Sequence, residues 1–100
     1  MKLWIDDVRP APSKEYIHAY SVHQARMIIE FGEKSNKPIS LIDIDHDAGD
    51  YAIHGGDYIK LLDWLEETGR NYPIHIHSQN VVGVQNMRAI IKRNGWTEIK

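Results

Sequence analysis

The sequence predicts an α/β protein built on a mainly parallel sheet. Short β-branched and apolar runs alternate with stretches whose apolar residues recur at helical spacing, the pattern of strands joined through helices. Three of the runs end abruptly in compact groups of reactive side chains: Asp6 and Asp7, then Asp45, His46 and Asp47, then His77 and Ser78. Open α/β sheets bind ligands beyond the carboxyl ends of their strands, so these groups are expected to converge on one site.

Leu3, Trp4 and Ile5 read as a short buried strand that stops at the acidic pair, and Arg9, Pro10, Ala11 and Pro12 forbid regular structure after it. A second strand is expected over Tyr16 to Tyr20. Ser21 with Gln24 makes a capping-box pattern, and Val22, Ala25, Ile28 and Ile29 follow at helical spacing as far as Gly32. Pro38 precedes the run ISLIDI, residues 39–44, which suits a central strand. Residues 45–56, with Gly49, Gly55 and Gly56, are expected to form a long loop above the sheet.

Asp57 is placed to cap a helix whose apolar stripe is Tyr58, Leu61, Leu62 and Leu65 and whose stop is Gly69. Pro73 opens a strand over Ile74 to His77. A last helix is expected from about Val84 to Arg93, with Asn94 and Gly95 at its end, and Trp96 to Ile99 read as a final strand. Only about ten residues, rich in proline, join the first two strands, where a parallel crossover ordinarily contains a helix. Either a helix is missing there or those two strands are not parallel.

The 100 residues, 42% hydrophobic, fit one domain over residues 1–100 with a single core. No run is long and apolar enough for a signal peptide or a membrane span, so a cytoplasmic location without membrane association is expected. Absence of cysteine removes disulfides, thiol nucleophiles and thiolate metal sites. A formal net charge of -2 argues against an extended nucleic-acid surface and leaves a small or terminal phosphate as the possible anionic ligand. Carboxylates crowd between Asp43 and Glu67, whereas Arg88, Lys92 and Arg93 gather on the last helical stretch as a solvated basic face.

Asp45, His46, Asp47 and Gly49 form the most specific local signal. Two carboxylates flanking an imidazole offer a ligand, a proton carrier and its orienter. Ionised acids there and at Asp6 and Asp7 repel one another unless a cation intervenes, and Mg²⁺ suits oxygen donors that keep bound water. Asp43 interrupts its strand as a supporting acid or a half-exposed residue. His75 reads as structural or surface, His77 at the strand end as the functional one of the pair. Ser78 and Asn80 are placed to bond an anion near the following helix or simply to cap that helix. His18, His23 and His54 read as surface residues.

The combination LWIDDVRPAP, DIDHDAG and HIHSQNVVGVQNM resembles the cyclic-phosphate processing receiver domains, a divergent branch of response-regulator receivers. The likeness spans nearly the whole chain and rests on Asp6, Asp7, Arg9 and Pro10, on Asp45, His46, Asp47 and Gly49, and on His77, Ser78, Asn80, Gly83 and Met87. It implies a receiver-like, flavodoxin-type three-layer sandwich with a five-stranded sheet in the order 2-1-3-4-5 and the first helix reduced or missing. Asp43 and Ala48 depart from the family pattern.

The resemblance also implies metal-assisted, phosphoesterase-type processing of cyclic phosphate ends of RNA or nucleotides. Asp6, Asp7, Asp45 and Asp47 would hold Mg²⁺ or another divalent cation, His46 and His77 with Asp45 would carry the chemistry, and Arg9, Ser78 and Asn80 would hold phosphate. Two alternatives use the same residues. One is a signalling receiver with Asp45 as phosphoacceptor, Ser78 as switch hydroxyl and Lys100 as partner cation; the other is a non-catalytic module that binds a phosphate ligand.

Overall fold

The computed structural model describes residues 1–100, and the chain folds as four parallel strands and three α-helices. The strands are β1 (Lys2–Ile5), β2 (Tyr16–Ala19), β3 (Ile42–Ile44) and β4 (Ile74–Ile76), in the spatial order β2-β1-β3-β4. The helices are α1 (Val22–Lys34), α2 (Ile59–Glu67) and α3 (Val81–Asn94), with a short 3-10 helix over Gly49–His54 inside the segment expected to be loop. No helix is long and apolar enough to cross a membrane.

The expected fifth strand is reduced to one parallel bridge between Ile74 and Glu98, made by Ile74 N–H to the Thr97 carbonyl and Ile99 N–H to the Ile74 carbonyl. It stands beside β4, where a fifth strand of the 2-1-3-4-5 order belongs. Trp96 is drawn into the core while Ile99 stays 43% exposed, so the segment has a single anchor and does not extend into a ladder.

Alternation along the strands assigns two unlike faces to the sheet. Leu3, Ile5, Ala19, Ile42, Ile44 and Ile74 point into one core together with Val22, Ala25 and Ile29 of α1, Leu61, Leu62 and Leu65 of α2, and Met87, Ile90 and Ile91 of α3. All three helices therefore share one side. Both long crossovers run the same way across the sheet, β2 to β3 and β3 to β4, so a common right-handed sense sets their helices on the same face. The three-layer expectation is corrected to two layers. The opposite face carries Lys2 and Trp4 of β1, Tyr16 and His18 of β2, Asp43 of β3 and His75 of β4, paired in register as Lys2 with Tyr16, Trp4 with both His18 and Asp43, and Asp43 with His75.

The short connection between β1 and β2 contains no helix, and the two strands are nevertheless parallel. Segment 6–15 turns back with the help of the Trp4 indole N–H, which donates to the Arg9 carbonyl at 2.8 Å. Helix α1 runs two residues past Gly32, because that glycine is not its stop. Gly32 is buried where the chain returns at Lys37 and Pro38, with no space for a Cβ, and the left-handed residue is Asn36 (φ 59°). Ser21 caps α1 as expected, accepting from the Gln24 N–H at 3.1 Å.

Asp57 does not cap α2; its carboxylate accepts from the Ala48 N–H at 3.1 Å and braces the loop instead. Helix α3 starts three residues earlier than expected because Asn80 caps it, accepting from the Gly83 N–H at 2.9 Å. The basic group of α3 is partly paired: Arg88 meets Glu98, and Arg93 clasps Glu66 of α2.

Tyr58, fully buried, donates its hydroxyl to the Tyr20 carbonyl at 2.7 Å and joins the start of α2 to the end of β2. Burial, with the carboxylates of Asp7, Asp6 and Asp45 nearby, pushes that phenol well above its ordinary value. Tyr58→Phe removes the donor of this part-buried bond, so it should cost about 1 kcal/mol in urea unfolding without changing the circular dichroism spectrum.

Candidate functional site

The carboxyl ends of β1, β3 and β4 open into a crevice of about 370 Å³ lined by Asp6, Asp7, Val8, Arg9, Asp45, Asp47, Ser78, Gln79 and Asn80. The three strand-end groups therefore meet. An apolar groove along α1, which includes Met27 and Phe31, is larger but lies away from these acids. Oxygen atoms of Asp6, Asp7 and Asp45 lie within 4.8 Å of one another, an all-oxygen donor set whose chemistry fits a hard divalent cation.

Asp6 is the most enclosed of the acids, 1% exposed, and its acceptor positions are all in use. One oxygen accepts from the N–H groups of Val8 and Arg9 at 2.8 Å each; the other faces Arg9 Nε at 3.2 Å and His77 Nε2 at 3.0 Å. Burial alone would raise this carboxyl. The two backbone N–H groups and the imidazole outweigh it and hold the group below the ordinary carboxylate value.

Asp7 behaves oppositely. Burial raises it most, and the charges of Asp6, Asp45 and Asp47 raise it further, against the lowering effect of its own backbone N–H. Its carboxylate lies against Gly49, where φ is 56° and a Cβ would collide with the Asp7 side chain, so the glycine is needed twice over. Asp45 fixes one oxygen with the His46 N–H at 2.7 Å and presents the other 3.8 Å from the Arg9 guanidinium. Arg9 also donates to the His77 carbonyl at 2.9 Å, so one guanidinium spans the ends of all three strands.

Neither histidine expected to carry the chemistry lines the crevice. His77 is clamped behind it, with Nε2 on Asp6, Nδ1 on Asp43 at 2.6 Å, and its ring stacked on Trp4 at 3.8 Å with 1° between planes. His46 leans away toward α3: its Nδ1 meets Asp47 at 2.9 Å and its ring rests on Gly83. That hydrogen bond, opposed by burial and joined by Asn80, holds the Asp47 carboxyl below its ordinary value.

Asn80 has both ends engaged, its oxygen capping α3 and its amide nitrogen 3.3 Å from Asp47. It is thus a brace and not a free phosphate contact. Ser78 accepts from the Asn80 N–H at 3.1 Å and keeps its own hydroxyl proton for a ligand. Lys100 is exposed and lines no part of the crevice.

Three residues gained roles that sequence reasoning left open or missed. Asp43 is buried, and its carboxylate receives both His75 at 2.8 Å and His77. It too is held below the ordinary value, the two imidazoles overcoming burial. His18, read as surface, bonds the Asp6 carbonyl at 2.8 Å and stacks on Tyr20. Trp4 reads in sequence as plain core and turns out to be the platform for His77. His23 and His54 are exposed, as expected.

The model of one family, described as Cyclic-phosphate processing Receiver domain, matches residues 1–93. The chain belongs to that family. Comparison with curated proteins and with solved structures gave no match. This cyclic-phosphate processing receiver domain thus keeps a receiver-like sheet and strand-end acids while one face of its sheet bears no helix.

Two measurements test the site's architecture. On helix propensity alone Gly83→Ala in α3 would stabilise by about 1 kcal/mol, but a Cβ there collides with the His46 ring. Net destabilisation in urea unfolding is expected. For pH, the folded carboxyls of Asp6 and Asp43 lie below their unfolded values, so their contribution is fully present above the unfolded value and is lost as pH falls through the folded one. The urea midpoint should therefore drop as pH falls below about 4, and Asp43→Asn should flatten that drop.

Proposed function

We propose that the crevice binds and opens a cyclic phosphate end of RNA or a nucleotide with the help of a divalent cation of the magnesium class. The observation that carries this reading is the meeting of an anion-directed guanidinium, Arg9, and the hydroxyl of Ser78 with a set of acids that Arg9 only partly neutralises. Family membership supports the same ligand class. Asp7 and Asp45 are the acids most open to a cation, with Asp6 and Asp47 beside them. A cation bound there would neutralise the acids and draw charge from the phosphoryl oxygen.

The protein's own groups divide the remaining work. Arg9 and Ser78 hold the nonbridging phosphate oxygens, where charge grows as water adds to phosphorus. Asp7, the crevice acid whose carboxyl is raised by burial and by its acidic neighbours, takes the proton of the attacking water. The bond from phosphorus to one ribose oxygen breaks, and that oxygen takes its proton from water in the open crevice. His77 acts indirectly, holding Asp6 in place. Asn80 does the same for Asp47.

The test is ring opening of a 2′,3′-cyclic nucleotide or a cyclic-ended RNA by purified protein with Mg²⁺. Opening is expected, together with its loss on chelation and a fall of about 100-fold or more for Arg9→Ala and Asp45→Asn. The phosphoacceptor alternative gains its support from Asp45 lying in the crevice beside Asp7. Acid-labile phosphate on Asp45 after acetyl phosphate treatment, without ring opening, would establish it in place of this reading. Tight binding of the cyclic phosphate with no turnover would establish a binding module.

A further inference from the structure

The face of the sheet that bears no helix holds a second cluster of ligand atoms, different in kind from the acids of the crevice. Asp43 Oδ1, His75 Nδ1 and His77 Nδ1 converge there, with nitrogen to oxygen distances of 2.8 Å for His75 and 2.6 Å for His77, and all three atoms lie within 4.8 Å of one another. The strand register creates this convergence. Asp43 sits beside His75 across β3 and β4, and His77 follows two residues on, on the same face.

We propose that Asp43, His75 and His77 form a binding centre for a borderline divalent cation of the zinc class. Two imidazole nitrogens and one carboxylate oxygen are the donor set that such ions select over magnesium, and three protein ligands leave a position for water. Each imidazole nitrogen would part from the carboxylate oxygen by roughly half an ångström or slightly more to reach tetrahedral spacing around such an ion.

The surroundings of His77 supply an independent argument. A metal-bound histidine characteristically gives its other ring N–H to a carboxylate, which sets its tautomer and aims the coordinating nitrogen. His77 has that arrangement already: Nδ1 points into the cluster, Nε2 lies 3.0 Å from the Asp6 carboxylate, and the stack on Trp4 fixes the ring plane. Asp43 and His77 have side chains 6% and 9% exposed, whereas His75 is 35% exposed and gives an ion its way in from solvent. The Tyr16 hydroxyl stands 3.4 Å from the second oxygen of Asp43 and steadies the carboxylate.

Binding requires both Nδ1 atoms free of protons and leaves the Nε2 N–H of His77 to donate to the Asp6 carboxylate. The centre and the crevice then stand on opposite sides of one Asp6 and His77 pair. The proposal is independent of what the crevice does to phosphate.

Isothermal titration of metal-free protein with Zn²⁺, and optical titration with Co²⁺, decides the matter. With excess Mg²⁺ present to fill the crevice acids, one equivalent is expected to bind, with the visible absorption of a four-coordinate Co²⁺ site. His75→Ala, a partly exposed change that should leave the circular dichroism spectrum intact, is expected to weaken Zn²⁺ binding by about tenfold or more. Asp7→Asn, in the crevice, and His54→Ala, on the surface, should leave it unchanged. Equal Zn²⁺ affinity in wild type and His75→Ala would overturn the proposal. So would loss of binding in Asp7→Asn with His75→Ala unaffected, because the ion would then sit among the crevice acids.

Discussion

His77 is held by two buried carboxylates at once, and most of the site is built outward from that clamp. Asp6 follows β1, Asp43 lies on β3 and His77 follows β4, so the two contacts tie three neighbouring strands together where the sheet opens to ligand. Each ring nitrogen faces a carboxylate oxygen from a different strand, so neither side of the imidazole is left without a polar partner. Stacking on Trp4 fixes the plane in which the ring meets both acids. Such a buried, fully paired arrangement is costly to break at either end, because the polar group that stays behind is left buried without its partner.

The one-sided fold gives the clamp its place. A sheet covered on both faces demands apolar residues at every strand position, and here Trp4, Asp43 and His75 occupy positions that a second helical layer would otherwise press upon. The proline-rich segment 6–15 replaces that layer only at one end, pinned by the Trp4 indole on the Arg9 carbonyl. Arg9 thereby arrives in the crevice as part of a turn. Its side chain reaches Asp6 and the His77 carbonyl because its backbone is already anchored to β1.

Much of this was legible in the sequence, and the failures have physical causes. The polar ends of the three apolar runs announced the convergence, since strand termini in a parallel sheet share one edge. The Ser21 cap and the helical stripes of α1 and α2 were readable because they are local. Asp57 and Gly32 misled because a cap residue and a glycine have other uses, and only the tertiary partner, Ala48 N–H or the returning chain at Lys37, decides between them. The fifth strand failed because its propensity is present but its burial is not. His46 and His77 were placed at the right strand ends and facing the wrong way: a sequence shows that an imidazole is near a site, while the carboxylates that capture it come from other strands. Asp43 and His75 belong to the same class of long-range fact.

The charge balance of the crevice explains why its acids do not behave alike. Four carboxylates, Asp6, Asp7, Asp45 and Asp47, line it with one guanidinium. Arg9 and His77 compensate Asp6; Arg9 also leans toward Asp45; His46 and Asn80 compensate Asp47. Asp7 has no cationic partner and feels the other three charges, so the unresolved repulsion collects there and raises its carboxyl against the pull of its own backbone N–H. Gly49 prevents relief by retreat, because the loop backbone already lies against the Asp7 side chain. Protonation of Asp7 or a cation beside it would both discharge the repulsion, but only a cation also suits Asp45, whose second oxygen meets the Arg9 guanidinium at the longer distance of 3.8 Å. A positive group placed between Asp7 and Asp45 therefore gains from two acids at once, and that shared gain is what a proton on Asp7 alone lacks.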